Sequence, residues 1–206
     1  MLHPVPTLKE TPSQTAGPYV HIGMTPNFSG ITGVIDADPG ISMLTPDTKG
    51  ERIDITCRVI DGSGAPVADA VIEIWQADAD GGFVTPPSRD SNSRPSFLGW
   101  GRQPADADGC CTFETIKPGP VAGPDGRPQA PHVSLWIVAR GINIGLQTRL
   151  YFSDEADANA DDYVLNKIMD KRRRPTLIAQ KQDGDVPRYV LDIHLQGPNE
   201  TVFFDF

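Results

Sequence analysis

The stretch Arg52-Ile-Asp-Ile-Thr-Cys-Arg-Val-Ile-Asp61 decides the fold of this chain. Its apolar side chains fall on every second position: Ile53, Ile55, Cys57 and Val59. A period of two residues is typical of a β-strand with one buried and one exposed face. The sequence Asp61-Gly62-Ser63-Gly64 that follows is a turn signal. The stretch therefore predicts a strand that packs on a core and ends in a turn.

Five further stretches have strand character, with turn or loop residues between them. They are residues 71–77, 110–116, 132–140, 146–152 and 189–195. A helix is predicted at residues 154–168 with Ser153 or Asp154 as its N-cap, and the Pro- and Gly-rich residues 117–131 predict a loop. About seven short strands separated by turns predict an all-β fold, a single β-sandwich domain over residues 1–206. We expect residues 1–50 to form an extended N-terminal arm and loop, and residues 51–206 to form the sandwich with long loops and one short helical segment.

The composition excludes several classes of function. The formal net charge is −9, which opposes binding to nucleic acids or to anionic membranes. No apolar run approaches the roughly 18 residues of a membrane span, and residues 1–9 do not resemble a signal peptide.

The chain has three Cys, an odd number, and they form no Cys-x-x-Cys pair. We therefore expect reduced thiols in a cytoplasmic protein.

Residue spacing shows no phosphate-binding loop, nucleophile elbow or metal-ligand cluster. The four His share no short spacing, and because a metal site needs three or four convergent ligands, each is more often a structural residue. The run Lys171-Arg-Arg-Arg174 predicts a solvated basic turn that stops at Pro175. Arg140 and Arg149 are the charges of most interest, since a strand-end Arg either clamps an anion with its planar fork or forms a salt bridge at the rim. The residues alone indicate a soluble β-sandwich and leave membership of an assembly open.

Several longer segments carry a resemblance to a known family. They are Thr11-Pro-Ser-Gln-Thr-Ala-Gly-Pro-Tyr19, Ile72-Glu-Ile-Trp-Gln-Ala-Asp-Ala-Asp80, Ala130-Pro-His-Val-Ser-Leu-Trp-Ile-Val-Ala-Arg-Gly-Ile-Asn-Ile144, Ile116-Lys-Pro-Gly119, Thr148-Arg-Leu-Tyr-Phe152 and Glu200-Thr-Val-Phe-Phe-Asp-Phe206. Together they resemble the intradiol ring-cleavage dioxygenases over nearly the whole chain. Within that family the chain is most similar to the subunit that does not hold the metal, in members built from two kinds of subunit.

The resemblance implies that three of four metal ligands are absent from this chain. The family's catalytic subunit holds ferric iron with two Tyr and two His. Val121 stands where the family's second Tyr follows an Ile-Lys-Pro-Gly-Pro segment, and Ser134 stands where its second His lies. Residues 83–97, which correspond to the loop of the first Tyr, contain no Tyr, so that only His132 is retained. We expect Val121, His132 and Ser134 to be vestigial positions and Fe(III) to be bound by the partner beta subunit.

The resemblance implies that the chain acts within a hetero-oligomer of alpha and beta chains. The expected reaction is the O2-dependent cleavage of protocatechuate to 3-carboxy-cis,cis-muconate in aromatic catabolism. This chain is expected to hold no catalytic residue and to be inactive alone. By similarity, it contributes to the wall of the substrate pocket with Thr15, Gly17, Pro18, Tyr19 and Arg140.

The sequence leaves two alternatives open. The same architecture could act on another substituted catechol, for example a sulfonated one, with divergence expected at residues 31–49 and 86–95 because loops vary most. The chain could instead be a non-enzymatic β-sandwich interaction module, since the missing ligands allow it. A dioxygenase subunit is expected to form a coloured, active complex with an iron-binding partner, whereas an interaction module is expected to acquire neither colour nor activity.

Overall fold

The computed structural model of this chain describes residues 14–84, 95–124, 126–143 and 145–205. The strands within those residues are β1 Arg52–Ile60, β2 Val71–Gln76, β3 Trp100–Pro104, β4 Cys110–Ile116, β5 Val121–Ala122, β6 Pro128–Gln129, β7 His132–Val138, β8 Leu146–Phe152, β9 Ile178–Gln182 and β10 Arg188–His194. The helices are α1 Val20–Met24, α2 Ala156–Asp161, α3 Tyr163–Lys167 and a 3-10 helix, Lys171–Leu177. None of the helices in these four ranges has the length and apolar character needed to cross a bilayer.

Eight of the described strands form one continuous sheet in the order β3-β2-β7-β8-β9-β10-β1-β4. β8 and β9 are parallel and share only the pairs Tyr151↔Ile178 and Phe152↔Ala179 among the described residues. This narrow junction joins two halves, and a single cluster of buried residues takes side chains from both. The halves therefore pack face to face around one core, and the prediction of an all-β sandwich is confirmed.

The core forms where the sequence alternates. Ile53, Ile55, Cys57 and Val59 of β1 are fully buried, as predicted. In the parallel register with β10, Ile55 lies beside Tyr189 and Cys57 beside Leu191. Because side chains of adjacent strands at paired positions point to the same face, these residues build one apolar layer. The burial of this face is what fixes the register of the sheet.

The predicted strands are present, and two other strands of the eight-stranded sheet, β3 and β9, were missed. Residues 110–116 and 146–152 match β4 and β8 at both ends, whereas the strand predicted at 132–140 ends at Val138. β3 contains Gly101 and ends at Pro104, residues that disfavour strands in a sequence-based prediction. β9 exposes most of its length, so its sequence shows little apolar alternation. Pairing with β2 and β10 determines both strands.

The prediction that residues 117–131 form only a loop was wrong. Val121 pairs with Gln129 and Ala122 with Pro128, which makes a two-stranded hairpin of β5 and β6. Gly126 adopts a φ of 79° in its turn, a conformation that favours glycine. The backbone N–H of Gly123 donates to the carbonyl of Arg127 over 2.8 Å. The hairpin brings Val121 and Gln129 next to the start of β7.

The prediction of one helix at residues 154–168 was also wrong in detail. The structure has α2 and α3 on either side of Asp162, whose backbone is extended. The buried carboxylate of Asp162 accepts hydrogen bonds from the N–H groups of Val164 and Leu165 and so caps α3. α2 begins after Glu155 without a side-chain cap, so neither Ser153 nor Asp154 is the N-cap. The same carboxylate also accepts from the hydroxyl of Tyr151 in β8, which ties the break between the two helices to the sheet.

Two helices lie where none was predicted. α1 forms in a stretch without apolar periodicity, and Thr25 closes it by donating its hydroxyl to the carbonyl of His21 over 2.7 Å. The basic run at residues 171–174 belongs to a 3-10 helix that continues through Pro175. Its N-cap is Asp170, whose carboxylate accepts from the backbone N–H of Arg172. The buried side chain of Leu177 anchors the end of this helix in a second apolar cluster.

Candidate functional site

The described part of the N-terminal arm is anchored beside the end of β7. Thr15 donates its hydroxyl to the carbonyl of Ile142 over 3.0 Å, and the N–H of Ala16 donates to the same oxygen over 3.2 Å. Ala16 also forms a parallel bridge with Arg140. The structure therefore brings together Thr15 and Arg140, two residues that the sequence analysis assigned to one site. Residues 11–13 of the same arm lie outside the described residues.

Gly17, Pro18 and Tyr19 form the exposed tip of this arm. Pro18 and Tyr19 lie in a turn, which the N–H of Val20 closes by donating to the carbonyl of Gly17 over 3.2 Å. The side chain of Tyr19 is 76% exposed. No described atom outside the neighbouring residues lies within 4 Å of the position that a Cβ on Gly17 would take. The tip thus presents an aromatic ring and bare backbone to its surroundings.

Arg140 lies at the surface and pairs weakly with one carboxylate. Its Nε atom lies 3.1 Å from Oδ2 of Asp69, an ion pair without hydrogen-bond alignment. The side chain of Arg140 is 69% exposed, so this pair stabilises the fold little. The remaining four N–H donors of a guanidinium are on its two Nη atoms. Arg140, Gly141 and Ile142 line a cleft of about 470 Å³.

Three positions of the implied lost metal site lie within the described residues, whereas most of the loop 83–97 that corresponds to the first Tyr lies outside them. Val121 is buried in β5, and His132 and Ser134 lie two residues apart in β7, so their side chains share a face. The imidazole of His132 is buried, and its Nδ1 lies 2.8 Å from the carbonyl of Ala130. Burial, and secondly the charge of Arg149, lower the pKa of His132 to about 4. His132 is therefore neutral at physiological pH.

Sequence reasoning missed the residues that surround His132. The ring of Tyr151 lies 5.7 Å from the imidazole, and its hydroxyl donates to Asp162 over 3.0 Å. Asp162 also accepts from the N–H of Ala130. Arg149 donates from Nη1 to Oε1 of Gln129 over 2.9 Å. The sequence shows these residues only as polar positions between apolar strand positions. That pattern does not reveal which residues they contact.

The residues present do not fit an iron centre. The described ranges contain no group of three or more His, Cys, Asp or Glu side chains placed to hold a metal ion. Cys57 and Cys111 are buried free thiols opposite each other on β1 and β4. Burial raises the pKa of Cys57 to about 12, so it stays protonated and does not act as a thiolate ligand. His132 is left as a single neutral nitrogen donor, too few for a structural or catalytic site.

A second surface feature, which we name the tryptophan groove, lies on the outer face of β2, β3 and β7. Its members are Trp75, Trp100, Trp136, Glu73 and Arg102. Trp75 pairs with Trp100 across β2 and β3, and Glu73 pairs with Trp136 across β2 and β7. Arg102 donates from Nε to Glu73 over 2.8 Å and stacks its guanidinium 5.1 Å from the Trp100 ring. The groove encloses about 490 Å³ and continues to Ser134.

Comparisons with known proteins agree with this fold. A model of the Dioxygenase family matches residues 24–197. The chain is 46% identical over 206 residues to the protocatechuate 3,4-dioxygenase alpha chain of Pseudomonas putida, covering 98% of this chain and 100% of that one. It is 35% identical to the protocatechuate 3,4-dioxygenase beta chain of Burkholderia cepacia, covering 74% of this chain and 67% of that one.

A solved structure supports the same architecture. The crystal structure of 3-chlorocatechol 1,2-dioxygenase from Rhodococcus opacus 1CP superposes with a TM-score of 0.60 at 24% identity, covering 80% of this chain and 67% of that one. At this identity the likeness shows the fold alone. Membership of the family rests on two stronger findings. These are the family match over most of the chain and the 46% identity to an alpha chain along its full length. This chain belongs to the intradiol ring-cleavage dioxygenase family.

Proposed function

We propose that this chain is the alpha subunit of a protocatechuate 3,4-dioxygenase and completes an active site whose iron is held by a beta chain. The observation that carries the proposal is the 46% identity to an alpha chain along the whole length of both proteins. The family depends on non-haem iron. Because the described residues of this chain do not gather a ligand set, we assign the metal to the partner.

The proposed reaction opens the ring of protocatechuate between its two hydroxylated carbons. Both atoms of O2 enter the product, 3-carboxy-cis,cis-muconate. The partner's iron supplies the ring-opening chemistry, and this chain contributes binding and positioning. Its contribution is therefore expected to appear in KM more than in the chemical step.

Arg140 is the residue we assign to the carboxylate of the substrate. Its guanidinium is exposed at the end of β7, lines a cleft and meets Asp69 only through Nε among the described contacts. The Nη donors suit a carboxylate in a two-point hydrogen-bonded arrangement. A positive side chain at this edge also counters the repulsion that a chain of net charge −9 exerts on an anionic substrate.

The tip of the arm is the second element of the proposed pocket wall. Thr15 fixes the arm beside Arg140, and Gly17, Pro18 and Tyr19 extend beyond it. Gly17 has no positive φ, so its own backbone conformation does not require glycine. We propose that a partner chain or substrate approaches its bare backbone closely, which a Cβ would oppose.

Co-expression with a beta chain of this family tests the proposal. The purified complex is expected to contain iron, to be red-brown from tyrosinate-to-iron charge transfer, and to consume O2 and protocatechuate in equal amounts. This chain purified alone is expected to be colourless and inactive. A complex that forms but prefers a sulfonated or otherwise substituted catechol over protocatechuate in a substrate panel would contradict the assigned substrate. Failure to associate with the beta chain would contradict the assigned role.

We also propose that residues 1–206 form one domain and that the protein acts in the cytoplasm. The family model spans residues 24–197 without interruption, which supports one domain. Cys57, Cys110 and Cys111 are free thiols, which suits a reducing compartment. A single cooperative unfolding transition and recovery in the cytoplasmic fraction of cells are the expected results. Two separate transitions or recovery in another compartment would contradict these proposals.

A further inference from the structure

His132 keeps the local hydrogen-bond arrangement of a metal-binding histidine, although the described residues supply no further metal ligands beside it. The carbonyl of Ala130 can only accept a hydrogen bond, so the proton of the neutral ring is on Nδ1, which lies 2.8 Å from that oxygen. Nε2 then carries the lone pair. Histidine ligands in metal sites are commonly oriented by such a bond from their other ring nitrogen. One donor atom of a metal site is therefore in place and correctly protonated.

Arg149 lies directly opposite the position where a second ligand is missing. In the antiparallel pairing of β7 and β8, His132 is opposite Tyr151 and Ser134 is opposite Arg149. Side chains at directly opposed positions share a face and have Cβ atoms about 5 Å apart. The guanidinium of Arg149 is half-buried and is held by Gln129 at 2.9 Å and by the hydroxyl of Tyr151 at 3.4 Å. It is thus a fixed positive charge beside His132 and Ser134.

The buried carboxylate of this cluster is already satisfied. Asp162 accepts from the hydroxyl of Tyr151 and from the N–H groups of Ala130, Val164 and Leu165. The hydroxyl of Tyr151 links it to Arg149, so one buried negative charge is balanced by hydrogen-bond donors and by one guanidinium. A metal cation beside His132 would add a second positive centre next to the first. At short range in a partly buried site, this repulsion is only weakly screened.

We infer that Arg149 takes the place of a metal ion as the positive charge of this pocket and excludes metal cations from it. If loss of ligands were the whole cause, Ser134→His would change the affinity for a metal ion by the same factor with or without Arg149. Exclusion by Arg149 predicts that Ser134→His strengthens metal binding much more once the guanidinium has been removed. The inference rests on the proposed function in one respect, because it explains why the metal belongs to the partner chain alone.

The test restores one ligand with and without the guanidinium. Ser134 is exposed, so Ser134→His is expected to fold, and circular dichroism checks this. The full-length S134H and S134H/R149Q chains are titrated with Zn²⁺ by calorimetry, and bound zinc is counted after dialysis. The dissociation constant is expected to be at least 100-fold lower in S134H/R149Q. Equal affinity of the two chains would overturn the inference.

Two matched variants separate charge from packing. S134H/R149K keeps a positive charge and is expected to bind Zn²⁺ as weakly as S134H. S134H/R58Q removes an outward-facing strand arginine that pairs with Asp192 on β10 and is expected to leave affinity unchanged. Tight binding by S134H/R149K would contradict exclusion by charge.

A second measurement uses the complex, in case the variants fold only with the partner. With an iron-loaded beta chain, iron plus zinc per pair of chains is expected to rise from one to two when S134H is combined with R149Q, and to stay at one with S134H alone. Activity of the unmodified complex is measured separately. An inactive complex whose metal content follows this pattern would reject the proposed function and leave the inference standing. An active complex in which R149Q adds no metal would reject the inference alone.

Discussion

Thr15 donates its hydroxyl hydrogen to the carbonyl oxygen of Ile142 over 3.0 Å, across 127 positions of sequence. The same oxygen accepts from the N–H of Ala16, which also bridges to Arg140. These bonds join the N-terminal arm to the end of β7. The position of the arm and the position of the Arg140 guanidinium are therefore coupled. A change in either one is expected to affect the other.

Thr15→Val removes one of these bonds and keeps the shape of the side chain. A hydrogen bond of this kind contributes about 0.5–1.5 kcal/mol, so KM for protocatechuate in the complex is expected to rise about 3–10-fold. Amide exchange at Ala16 is expected to accelerate. The control is Thr56→Val on the outer face of β1, whose hydroxyl meets Thr112 and whose loss is expected to leave KM unchanged. An unaltered KM with faster exchange would show that the arm does not touch the substrate pocket.

Arg140→Ala tests the assigned carboxylate contact. Hydrogen bonds to charged groups contribute about 1.5–3 kcal/mol, so KM is expected to rise about 10–150-fold while the elution volume of the complex stays the same. Arg140→Lys keeps the charge but not the planar fork, and an intermediate KM is expected. Arg58→Ala is the matched control, because Arg58 is also exposed and paired with an aspartate. Unchanged kinetics in the R140A complex would remove Arg140 from the site.

His132 makes the stability of the fold depend on pH. Its folded pKa is lowered to about 4 from 6.5, so between these values the unfolded chain binds a proton that the folded chain does not. The contribution is fully present above pH 6.5 and is lost as pH falls toward 4. The lowered pKa of His132 corresponds to at most about 3 kcal/mol of stability. Urea unfolding of the wild-type chain and of His132→Asn at several pH values checks this, because Asn keeps a donor for Ala130 and does not titrate. The same slope in both chains would contradict it.

Asp162→Ala is expected to destabilise the fold strongly. The carboxylate is fully buried and accepts from the hydroxyl of Tyr151 and from three backbone N–H groups. Leaving buried donors without a partner costs about 1–3 kcal/mol each, and the N–H of Val164 is only partly buried, so a loss of about 3–5 kcal/mol is expected. Asp170→Ala removes an exposed cap of the 3-10 helix and is expected to cost far less. Equal losses in urea unfolding would contradict the central role given to Asp162.

Local pattern was enough to predict most strands because burial of one face imposes a two-residue period. Residues 110–116 and 146–152 were therefore predicted at both ends. The same reasoning failed for β3 and β9, which are strands because of their neighbours and not because of their own residues. It failed at the hairpin of Val121 and Gln129 for the same reason, since pairing offset the low strand preference of Pro128.

The candidate site was only partly accessible from sequence. The resemblance indicated Thr15 and Arg140 separately, and their proximity depends on a bridge between distant parts of the chain. The roles of Thr15, Gly17, Pro18, Tyr19 and Arg140 in a pocket wall stay predictions. The cluster of Arg149, Tyr151 and Asp162 around His132 could not be predicted, because strand register and the break between α2 and α3 decide it.

The tryptophan groove gives the chain a built-in optical signal. All three tryptophans of the sequence lie on this one face, and Trp75 is more than half exposed. The indole emission of the whole chain therefore originates on a single surface. Whatever covers that surface will shift the emission to shorter wavelengths and shield it from iodide or acrylamide. Unlabelled protein can consequently report, in real time and at micromolar concentration or below, whether assembly buries this side of the sandwich or leaves it in water.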